Sequence, residues 1–223
     1  MNAGGNIQLL QQEHRTRFEK YETYRGSVWK ILCRDFFSKY VPENATVLDL
    51  GAGWGEFINN IRAAKKLAMD LNPETQEHLT DGITFLNQDC TQPWEVGTGT
   101  VDVVFTSNFL EHVPDKSGVE YAISEAHRSL KEGGAIICLG PNIKHVLGAY
   151  WDFWDHAIPL TERSVSEVLA MHGFVVERSL ARFLPYSMSQ GHTPPLFMVK
   201  LYCMLPLIWP LVGKQFLVIG RKL

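Results

Sequence analysis

The chain has 223 residues, of which 45% are hydrophobic and 20% are charged, and its formal net charge is -3. This composition excludes a disordered or collagen-like chain and is typical of one globular domain with a sizeable core. The slightly acidic balance, without a long run of Lys and Arg, argues against a nucleic-acid partner. The four cysteines are scattered, which predicts neither a zinc knuckle nor a disulfide framework. We therefore expect a cytoplasmic protein, and the N-terminus does not resemble a secretory signal.

The first predicted elements are helices. Apolar side chains recur at helical spacing from Gln8 to Tyr40, which predicts a helical N-terminal cap over residues 1–44. A short apolar run at Thr46 to Leu50 lies between a proline and a glycine cluster, as a buried parallel strand does. We expect a helix from about Gly55 to Ala64 after this strand.

Strands and helices then alternate as far as the fifth strand. The helix before that strand carries apolar residues on one face, and the glycines at its end predict a left-handed cap. The predicted strands are Leu67 to Asp70, Ile83 to Leu86, Val101 to Thr106 and Ala135 to Leu139, the predicted helices are Pro73 to Leu79 and Lys116 to Leu130, and the cap lies at Gly133-Gly134.

The second half departs from this rhythm. An aromatic insertion at Tyr150 to Trp154 precedes a helix that begins after Thr161 and reaches about His172. Gly173 to Arg178 and Gln215 to Arg221 are predicted to be the last two strands. Residues 45–223 thus predict one α/β domain, with a doubly wound, mostly parallel sheet and an insertion at about 141–213. Ligands of such sheets bind outside the carboxyl ends of the strands.

A glycine-rich loop follows the first predicted strand. Gly51, Gly53 and Gly55 allow a sharp turn and a close approach of a ligand to the backbone. A dinucleotide-binding loop would have its third glycine at position 56, where this chain has Glu56. Acids at positions 49 and 56 would repel a pyrophosphate. They suit S-adenosylmethionine, whose ammonium and sulfonium are positive, and Asp49 is a candidate anchor near its amino-acid end.

Two further acids follow the next two strands. Asp70 ends the second strand, where a carboxylate can accept hydrogen bonds from both ribose hydroxyls, a requirement shared with NAD-binding proteins. Asp89 follows the third strand and can accept a hydrogen bond from the adenine amino group. Leu71 and Cys90 are assigned to the same site. Each acid alone is as consistent with a helix cap or a turn, but three acids after three successive strands indicate one cofactor site.

These motifs resemble those of the class I S-adenosylmethionine-dependent methyltransferases. Residues Asp49 to Gly55 are similar to the first motif of that family, and Asp70, Asp89 and the segment Thr106 to Val113 are similar to later ones. The resemblance implies a Rossmann-like, seven-stranded sheet with an antiparallel last strand, and S-adenosylhomocysteine as product. It also places Ala52 and Asn108 among the cofactor-binding residues.

The second half is similar to bacterial methyltransferases associated with polysaccharide or lipid-linked glycan assembly, through Trp154 to Thr161 and Arg182 to Tyr186. This likeness implies a small-molecule, glycan or lipid-linked acceptor, with methyl transfer to oxygen favoured and transfer to nitrogen as the alternative. Some class I relatives ligate a metal through Glu-x-x-Glu-His. Here Asn108 replaces the first carboxylate, so we predict no metal.

Two histidines are candidate catalytic residues. His112 lies in the segment that neighbours the methionine part of the cofactor in this family, and it is either a general base or a packing residue. His156 lies in the aromatic insertion and either accepts a proton from the acceptor or caps the helix after Thr161. Tyr24 and Arg25 are predicted to close over the cofactor, with the guanidinium forked onto the methionine carboxylate. The alternative is a surface arginine beside a packing tyrosine.

Residues Pro194 to Val212 form the most apolar stretch of the chain. A membrane span is disfavoured by Lys200, by two internal prolines and by the strand that follows, which has to rejoin the sheet. Two interpretations remain: a buried or homodimer-forming helix, which we favour, and an interfacial surface that gives peripheral membrane contact and access to a lipid-linked acceptor.

Three other functions compete with a methyltransferase of this kind. A nucleotide-dependent oxidoreductase shares the sheet and the role of Asp70 but has a different glycine spacing. A nucleic-acid methyltransferase acting on flipped bases would carry an Asn/Asp-Pro-Pro-aromatic box, whereas this chain has Ser107 to Leu110. A non-catalytic module would bind the cofactor without turnover.

Overall fold

A computed structural model gives the fold of residues 21–186 and 193–223, so the predicted helix before residue 21 lies outside the described residues. Strands and helices alternate from residue 46 onward, as the sequence predicts, except that β3 is followed directly by β4. In chain order the elements are α1 (Glu22–Asp35), β1 (Thr46–Leu50), α2 (Glu56–Asn60), β2 (Lys65–Asp70), α3 (Thr75–His78), β3 (Ile83–Asn87), β4 (Val101–Ser107), α4 (Lys116–Ser129), β5 (Leu130–Pro141), α5 (Ile143–Val146), α6 (Glu162–Met171), β6 (Phe174–Leu184), α7 (Leu196–Met204), α8 (Trp209–Val212) and β7 (Gln215–Lys222), with 3-10 turns at Phe37–Lys39, Leu110–His112, Leu147–Asp152 and Pro206–Ile208.

The seven strands form one sheet in the order β3-β2-β1-β4-β5-β7-β6. Neighbouring strands pair in parallel except that β7 runs antiparallel to both β5 and β6. The predicted doubly wound, mostly parallel sheet is therefore confirmed, as is its antiparallel last strand. The chain changes direction across the sheet between β1 and β4, and a crevice at such a switch point is where open α/β sheets bind ligands.

Helices cover both faces of the sheet and divide the core in two. One hydrophobic cluster joins the sheet to α4 and α6, and the other joins it to α1, α2, α7 and α8. Alternate residues of each central strand serve the two clusters: Leu48 and Leu50 of β1 face the first, and Val47 faces the second. Burial on both faces explains why the central strands are nearly continuous apolar runs.

The predicted N-terminal cap is part of this core. Val28, Trp29 and Leu32 of α1 are buried in the second cluster, and the Trp29 ring packs edge-on against Phe105 of β4, with 5.9 Å between ring centroids. Because an aromatic pair of this kind adds to the energy of area burial, α1 is fixed against the sheet. The described part of residues 1–44 thus forms one body with the rest of the domain.

Several predicted boundaries are wrong, and so is the predicted glycine cap of α4. The predicted glycine cap at Gly133-Gly134 does not end that helix, because Leu130 is already extended and begins β5. Leu130 pairs with Val101 of β4, and this long-range pairing ends the helix before the glycines. Helix α2 ends at Asn60 and not near residue 64. Strand β6 runs on to Leu184, beyond the predicted end at residue 178.

The predicted insertion at 141–213 is divided by α6 and β6, which belong to the sheet domain. One inserted segment, 142–160, follows β5, and the other, 185–214, joins β6 to β7. The favoured burial of the second segment is correct for Cys203 and Trp209 but wrong for most of its apolar residues, which are exposed. None of the described helices combines the length and the apolar character needed to cross a bilayer.

Candidate active site

The glycine loop after β1 has a backbone that only glycine adopts easily. Gly51, Gly53 and Gly55 have φ angles of +71°, +52° and +71°, a region that costs other residues free energy. A Cβ on Gly51 would lie 2.1 Å from Cγ of Phe109, whereas a Cβ on Gly53 would meet open space. The loop is therefore packed on one side against the segment after β4 and open at Gly53, as a ligand-binding loop has to be.

Asp70 fixes the shape of this loop. The backbone N–H of Gly53 donates to Oδ2 of Asp70 (2.8 Å) and the backbone N–H of Asn72 donates to Oδ1 (2.9 Å). The N–H groups of Gly51 and Ala52 both donate to the carbonyl oxygen of Met69, at 2.9 and 3.1 Å. Because each carboxylate oxygen can accept more than one hydrogen bond, Asp70 can hold the loop and bind ribose hydroxyls together.

Asp49 lies buried beneath the same loop. Its pKa is raised well above the ordinary range, first by burial and then by the charge of Glu56 and, more weakly, of Asp70, although a backbone hydrogen bond from Ile58 opposes the rise. A nearby positive charge would offset this unfavourable environment. The ammonium of an amino-acid ligand is such a charge, which agrees with the acidic anchor that the sequence predicts.

The predicted adenine side of the site follows β2 and β3. Leu71 is 63% exposed directly after Asp70, which is unusual for leucine and suits contact with a bound ring. Oδ1 of Asp89 accepts hydrogen bonds from the backbone N–H and the hydroxyl of Thr91, both at 2.8 Å. Burial raises the pKa of the Cys90 thiol to about 12. The Cys90 side chain thus belongs to the core, and a cofactor contact at this position is expected from its backbone.

Tyr24 and Arg25 reach the site from α1. The Arg25 guanidinium pairs with the Glu56 carboxylate at 2.6 Å, and both side chains are mostly buried. Glu56 begins α2 directly after the glycine loop, so Arg25 lies where the sequence predicts, but with a protein partner that the prediction missed. The hydroxyl of Tyr24 donates to the carbonyl oxygen of Pro194 at 2.6 Å. The forked contact of Arg25 to a ligand carboxylate stays a prediction.

The acceptor side begins at Asn108. This exposed residue has a φ of +49°, and its backbone N–H donates to the carbonyl oxygen of Leu139 in β5 (2.9 Å). Asparagine tolerates this conformation better than most residues do. The turn directs the chain from β4 into the 3-10 turn that carries Glu111 and His112. Asn108, Phe109 and the glycine loop therefore lie together at the carboxyl edge of β1 and β4.

His112 is held by an acid from the first inserted segment. Nδ1 of His112 lies 3.2 Å from Oδ2 of Asp155 and 3.3 Å from its carbonyl oxygen. With Nδ1 donating to Asp155, the neutral ring carries its lone pair on Nε2. An acid that orients a histidine in this way is the arrangement of a general base. Asp155 is not among the site residues predicted from the sequence, although it is adjacent to His156 in the same short segment.

The pKa of His112 is raised above that of an ordinary histidine. Burial alone would lower it, but the hydrogen bond to Asp155 and the negative charges of Glu111 and Asp155 outweigh burial. Glu111 is itself almost completely buried, and burial raises the pKa of its carboxyl group, an effect that His112 opposes. A base with a raised pKa is a stronger proton acceptor, provided that the pH keeps it unprotonated.

His156 packs beside His112 in an aromatic box. Its ring lies 4.9 Å from that of His112, 4.6 Å from Tyr150 and 5.0 Å from Phe153, measured between centroids. The hydroxyl of the fully buried Tyr150 donates to the carbonyl oxygen of Ile158 and so closes the segment. The helix after Thr161 is capped by Thr161 itself, so the alternative of His156 as its cap is wrong.

Within residues 21–186 and 193–223, donor atoms of Glu111, His112 and His156 come within 4.8 Å of one another. One carboxylate with two imidazoles is a composition found in zinc sites. The prediction of no metal relied on Asn108 and did not anticipate that His156 would come near. It stays a prediction, and chelation tests it.

Comparisons with known proteins agree with this geometry. Residues 21–179 match the methyltransferase domain family, which is well over half of the chain. No curated protein sequence matches the chain. The match spans the glycine loop, the three acids and the His112 turn, but ends within β6.

Solved structures share the fold at low sequence identity. A SAM-dependent methyltransferase of Thermotoga maritima, named as a possible histamine N-methyltransferase, is similar with a TM-score of 0.70, 16% identity, and 96% of this chain and 98% of that chain covered. A SAM-dependent methyltransferase of Archaeoglobus fulgidus is similar with a TM-score of 0.67 and 18% identity, and 92% of this chain and 99% of that chain are covered. A chain of the Haloferax volcanii complex between the Trm112 methyltransferase activator and a methyltransferase is similar with a TM-score of 0.60 and 18% identity, and 88% of this chain and 97% of that chain are covered.

The open backbone at Gly53, the rim carboxylate of Asp70 and the exposed Leu71 fit S-adenosylmethionine. Together with the family match over residues 21–179, they establish the cofactor class but leave the acceptor open. The chain belongs to the class I S-adenosylmethionine-dependent methyltransferase family.

Proposed function

We propose that this methyltransferase acts on a hydroxyl group of a small-molecule, glycan or lipid-linked acceptor, with His112 as general base. The pair of His112 and Asp155, 3.2 Å apart beside Asn108, carries this proposal. A hydroxyl oxygen is a weak nucleophile unless a base accepts its proton, whereas an amine has only to arrive unprotonated. An oriented, electrostatically supported histidine at the acceptor edge therefore favours oxygen over nitrogen.

The bound cofactor supplies an electrophilic methyl group on a sulfonium, whose leaving group is a neutral thioether. The acceptor oxygen would take this methyl group, and the thioether would leave with the electrons of the carbon–sulfur bond. Nε2 of His112 takes the hydroxyl proton, and the Asp155 carboxylate stabilises the resulting imidazolium. Such a displacement depends mainly on alignment and on exclusion of water.

The remaining residues bind and position. Asp70 and Asp89 are assigned to the ribose and adenine, Asp49 to the ammonium and Arg25 to the carboxylate of the methionine part. Gly51, Ala52, Gly53, Leu71, Cys90 and Asn108 complete the cofactor contacts. Tyr24 is assigned a supporting role, because its hydroxyl donates to the carbonyl oxygen of Pro194 and so helps to hold α1, which carries Arg25, in place. His156 is assigned as a positioning residue, since it is buried and its ring braces that of His112.

The test is transfer of a labelled methyl group to two sets of acceptors, hydroxyl compounds that include simple glycosides and lipid-linked sugars, and amines that include histamine. We expect O-methyl products, identified by NMR. His112→Gln is expected to lower turnover by roughly 100-fold or more while S-adenosylhomocysteine binding is kept. The matched control is His127→Gln on α4, which replaces a histidine that packs against Phe174. N-methyl products, or an unchanged rate in His112→Gln, would overturn the proposal.

N-methylation is the second candidate, and the Thermotoga maritima structure with the highest TM-score among those described is named for such a reaction. Its likeness to this chain extends to the fold alone. If amines are methylated and His112→Gln retains activity, this candidate replaces the first.

Dialysis against EDTA tests for a metal, and the proposed base chemistry predicts unchanged turnover. Loss of activity that zinc or manganese restores would instead assign Glu111, His112 and His156 to a metal.

A further inference from the structure

We propose that α7 and the turn after it form a surface that binds anionic lipid bilayers beside the acceptor side of the site. The surface consists of exposed apolar side chains of the segment between β6 and β7, and we call it the apolar face. Its members are Phe197, Leu201, Met204, Leu205, Leu207, Leu211 and Val212.

The apolar face reverses the usual arrangement of a surface helix. Helix α7 directs Val199, Tyr202 and Cys203 toward the core, where the helix packs against α1. The hydroxyl of Tyr202 also donates to the carbonyl oxygen of Phe183 in β6. On the opposite side, Phe197 and Met204 are 70% and 65% exposed. These residues follow one another at helical spacing through position 201, so they form a stripe that faces solvent. Solvent-facing stripes are normally polar, and an apolar one marks a contact surface.

The turn after α7 extends the same surface. Leu207 is 89% exposed and Leu211 is also exposed, so large apolar side chains continue beyond the end of the helix. From residue 193 to 214 the chain has no acidic residue, and Lys200 and Lys214 are its cations. An apolar surface with cations and no acids of its own is complementary to a bilayer that contains anionic lipids.

Basic residues of α1 and the turn after it border the apolar face. Asp35 is the acid among them, and its pKa is lowered first by the hydrogen bond from Arg34, against burial, and then by the charges of Arg34, Lys200 and Lys39. The Arg34 guanidinium pairs with this carboxylate at 2.6 Å. Nζ of Lys39 lies 5.9 Å from the centre of the Phe36 ring, which packs edge-on against Trp209 of α8. Excess positive charge close to exposed apolar side chains favours a lipid headgroup layer over a second copy of this chain, because two copies would bring like charges together.

The position of the apolar face relates it to the active site. Strand β6 runs in the same direction as β1 and β4, so the segment after β6 starts from the edge of the sheet that carries the glycine loop. The other inserted segment starts from the same edge after β5 and exposes Trp151 and Trp154, the latter by 90%. Phe153 and Tyr186 link the two segments, with ring centroids 6.3 Å apart. Tryptophan is enriched at membrane interfaces.

Membrane binding would deliver a lipid-linked acceptor to His112, and only this role rests on the proposed function. Binding itself needs neither the cofactor nor turnover. A failure of vesicle binding is therefore distinguishable from a failure of O-methylation.

The experiment is flotation of the full chain with vesicles of phosphatidylcholine alone and with about one third phosphatidylglycerol. We expect binding to the anionic vesicles that weakens as salt is raised, since surface charges are screened. Phe197→Glu and Met204→Glu are each expected to reduce binding about tenfold or more, because a buried apolar contact is replaced by a charge. The wild-type fold should persist in both variants, since these side chains are exposed.

Met171→Glu is the matched control, because Met171 ends α6 and is 68% exposed, close to the exposure of Met204. It should leave vesicle binding unchanged. Thermal unfolding and S-adenosylhomocysteine binding report whether each variant is folded. Equal effects of Met171→Glu and Met204→Glu would overturn the proposal. A second result would also overturn it: the wild-type protein does not float with vesicles and sediments as a dimer, and Phe197→Glu dissociates that dimer.

Discussion

The cofactor half of the site is assembled from segments that each follow a strand, whereas the acceptor half joins side chains from distant parts of the chain. Gly53 and Asp70 meet because β1 and β2 are neighbours in the sheet, Asp70 is the last residue of β2 and Gly53 lies in the loop that directly follows β1. His112 and Asp155 meet only because the segment after β5 folds back over the turn after β4. The backbone dictates the first arrangement, and packing of an insertion dictates the second. We expect substitutions in the first half to change cofactor binding and those in the second to change turnover.

The largest effect is expected for Gly51→Ala. The new methyl group would overlap Phe109 at a φ of +71°, which we expect to lower the free energy of unfolding by about 3 kcal/mol. Thermal unfolding and calorimetry with S-adenosylhomocysteine measure stability and binding. Gly53→Ala is the comparison, because its methyl group would contact no other protein atom within 4 Å. The positive φ angle alone should then cost about 1 kcal/mol. Equal destabilisation by both would contradict the packing of Phe109 on the loop.

Asp70→Ala should have the next largest effect. It removes the acceptor for the N–H groups of Gly53 and Asn72 and for the ribose hydroxyls. A loss of about 2 kcal/mol in binding, roughly 30-fold in Kd, is expected from charged hydrogen bonds of this kind. Calorimetry measures the affinity for S-adenosylmethionine. Unchanged affinity in a folded variant would show that this carboxylate does not serve the cofactor.

Asp155→Asn should affect turnover and its pH dependence but not cofactor affinity. In the wild type, activity is expected to rise with pH as His112 loses its proton, through a pKa above the ordinary value near 6.5. Removing the carboxylate removes the charge that raises this pKa, so the rising limb should move to lower pH. The maximal rate should fall about tenfold because the imidazolium is less stabilised. If activity in Asp155→Asn rises at the same pH as in the wild type, Asp155 does not support the base.

The smallest effect is expected for Tyr24→Phe, which tests the contact between α1 of the cofactor half and the segment between β6 and β7. The variant loses the hydrogen bond from the hydroxyl to the carbonyl oxygen of Pro194 and keeps the ring. We expect a loss of about 1 kcal/mol in the free energy of unfolding. Denaturant titration measures it, with Tyr121→Phe on α4 as a control at an exposed tyrosine. A loss in the control as large as in Tyr24→Phe would remove the significance of this contact.

Sequence alone determined the fold class, the conformation of the glycine loop and the place of the acids after successive strands, while the contacts of these residues to the cofactor stay predictions. Residues Asp49 to Gly55 specify a strand followed by a turn with positive φ angles, and this local conformation depends little on distant residues. The acids after successive strands follow from the same alternation, since parallel strands present their carboxyl ends at one edge. The structure sharpened one of these assignments, because Asp70 also bonds to the loop that it was predicted to flank.

Only the tertiary structure decided where β5 begins, which acid supports His112 and which side of α7 is exposed. Leu130 pairs with Val101 of β4, so β5 begins at Leu130 and not after the glycines, because long-range strand pairing outweighs local cap preference. Asp155 reached His112 through a fold-back of the chain that no periodicity encodes. Burial was the favoured prediction for the apolar stretch near Phe197, and it is wrong for most of this stretch within the single chain, because composition does not record which side of a helix meets the core. The physical difference is the sequence range of the interactions. Backbone conformation and the type of each element depend mostly on nearby residues, whereas the partners of a side chain depend on how distant segments pack.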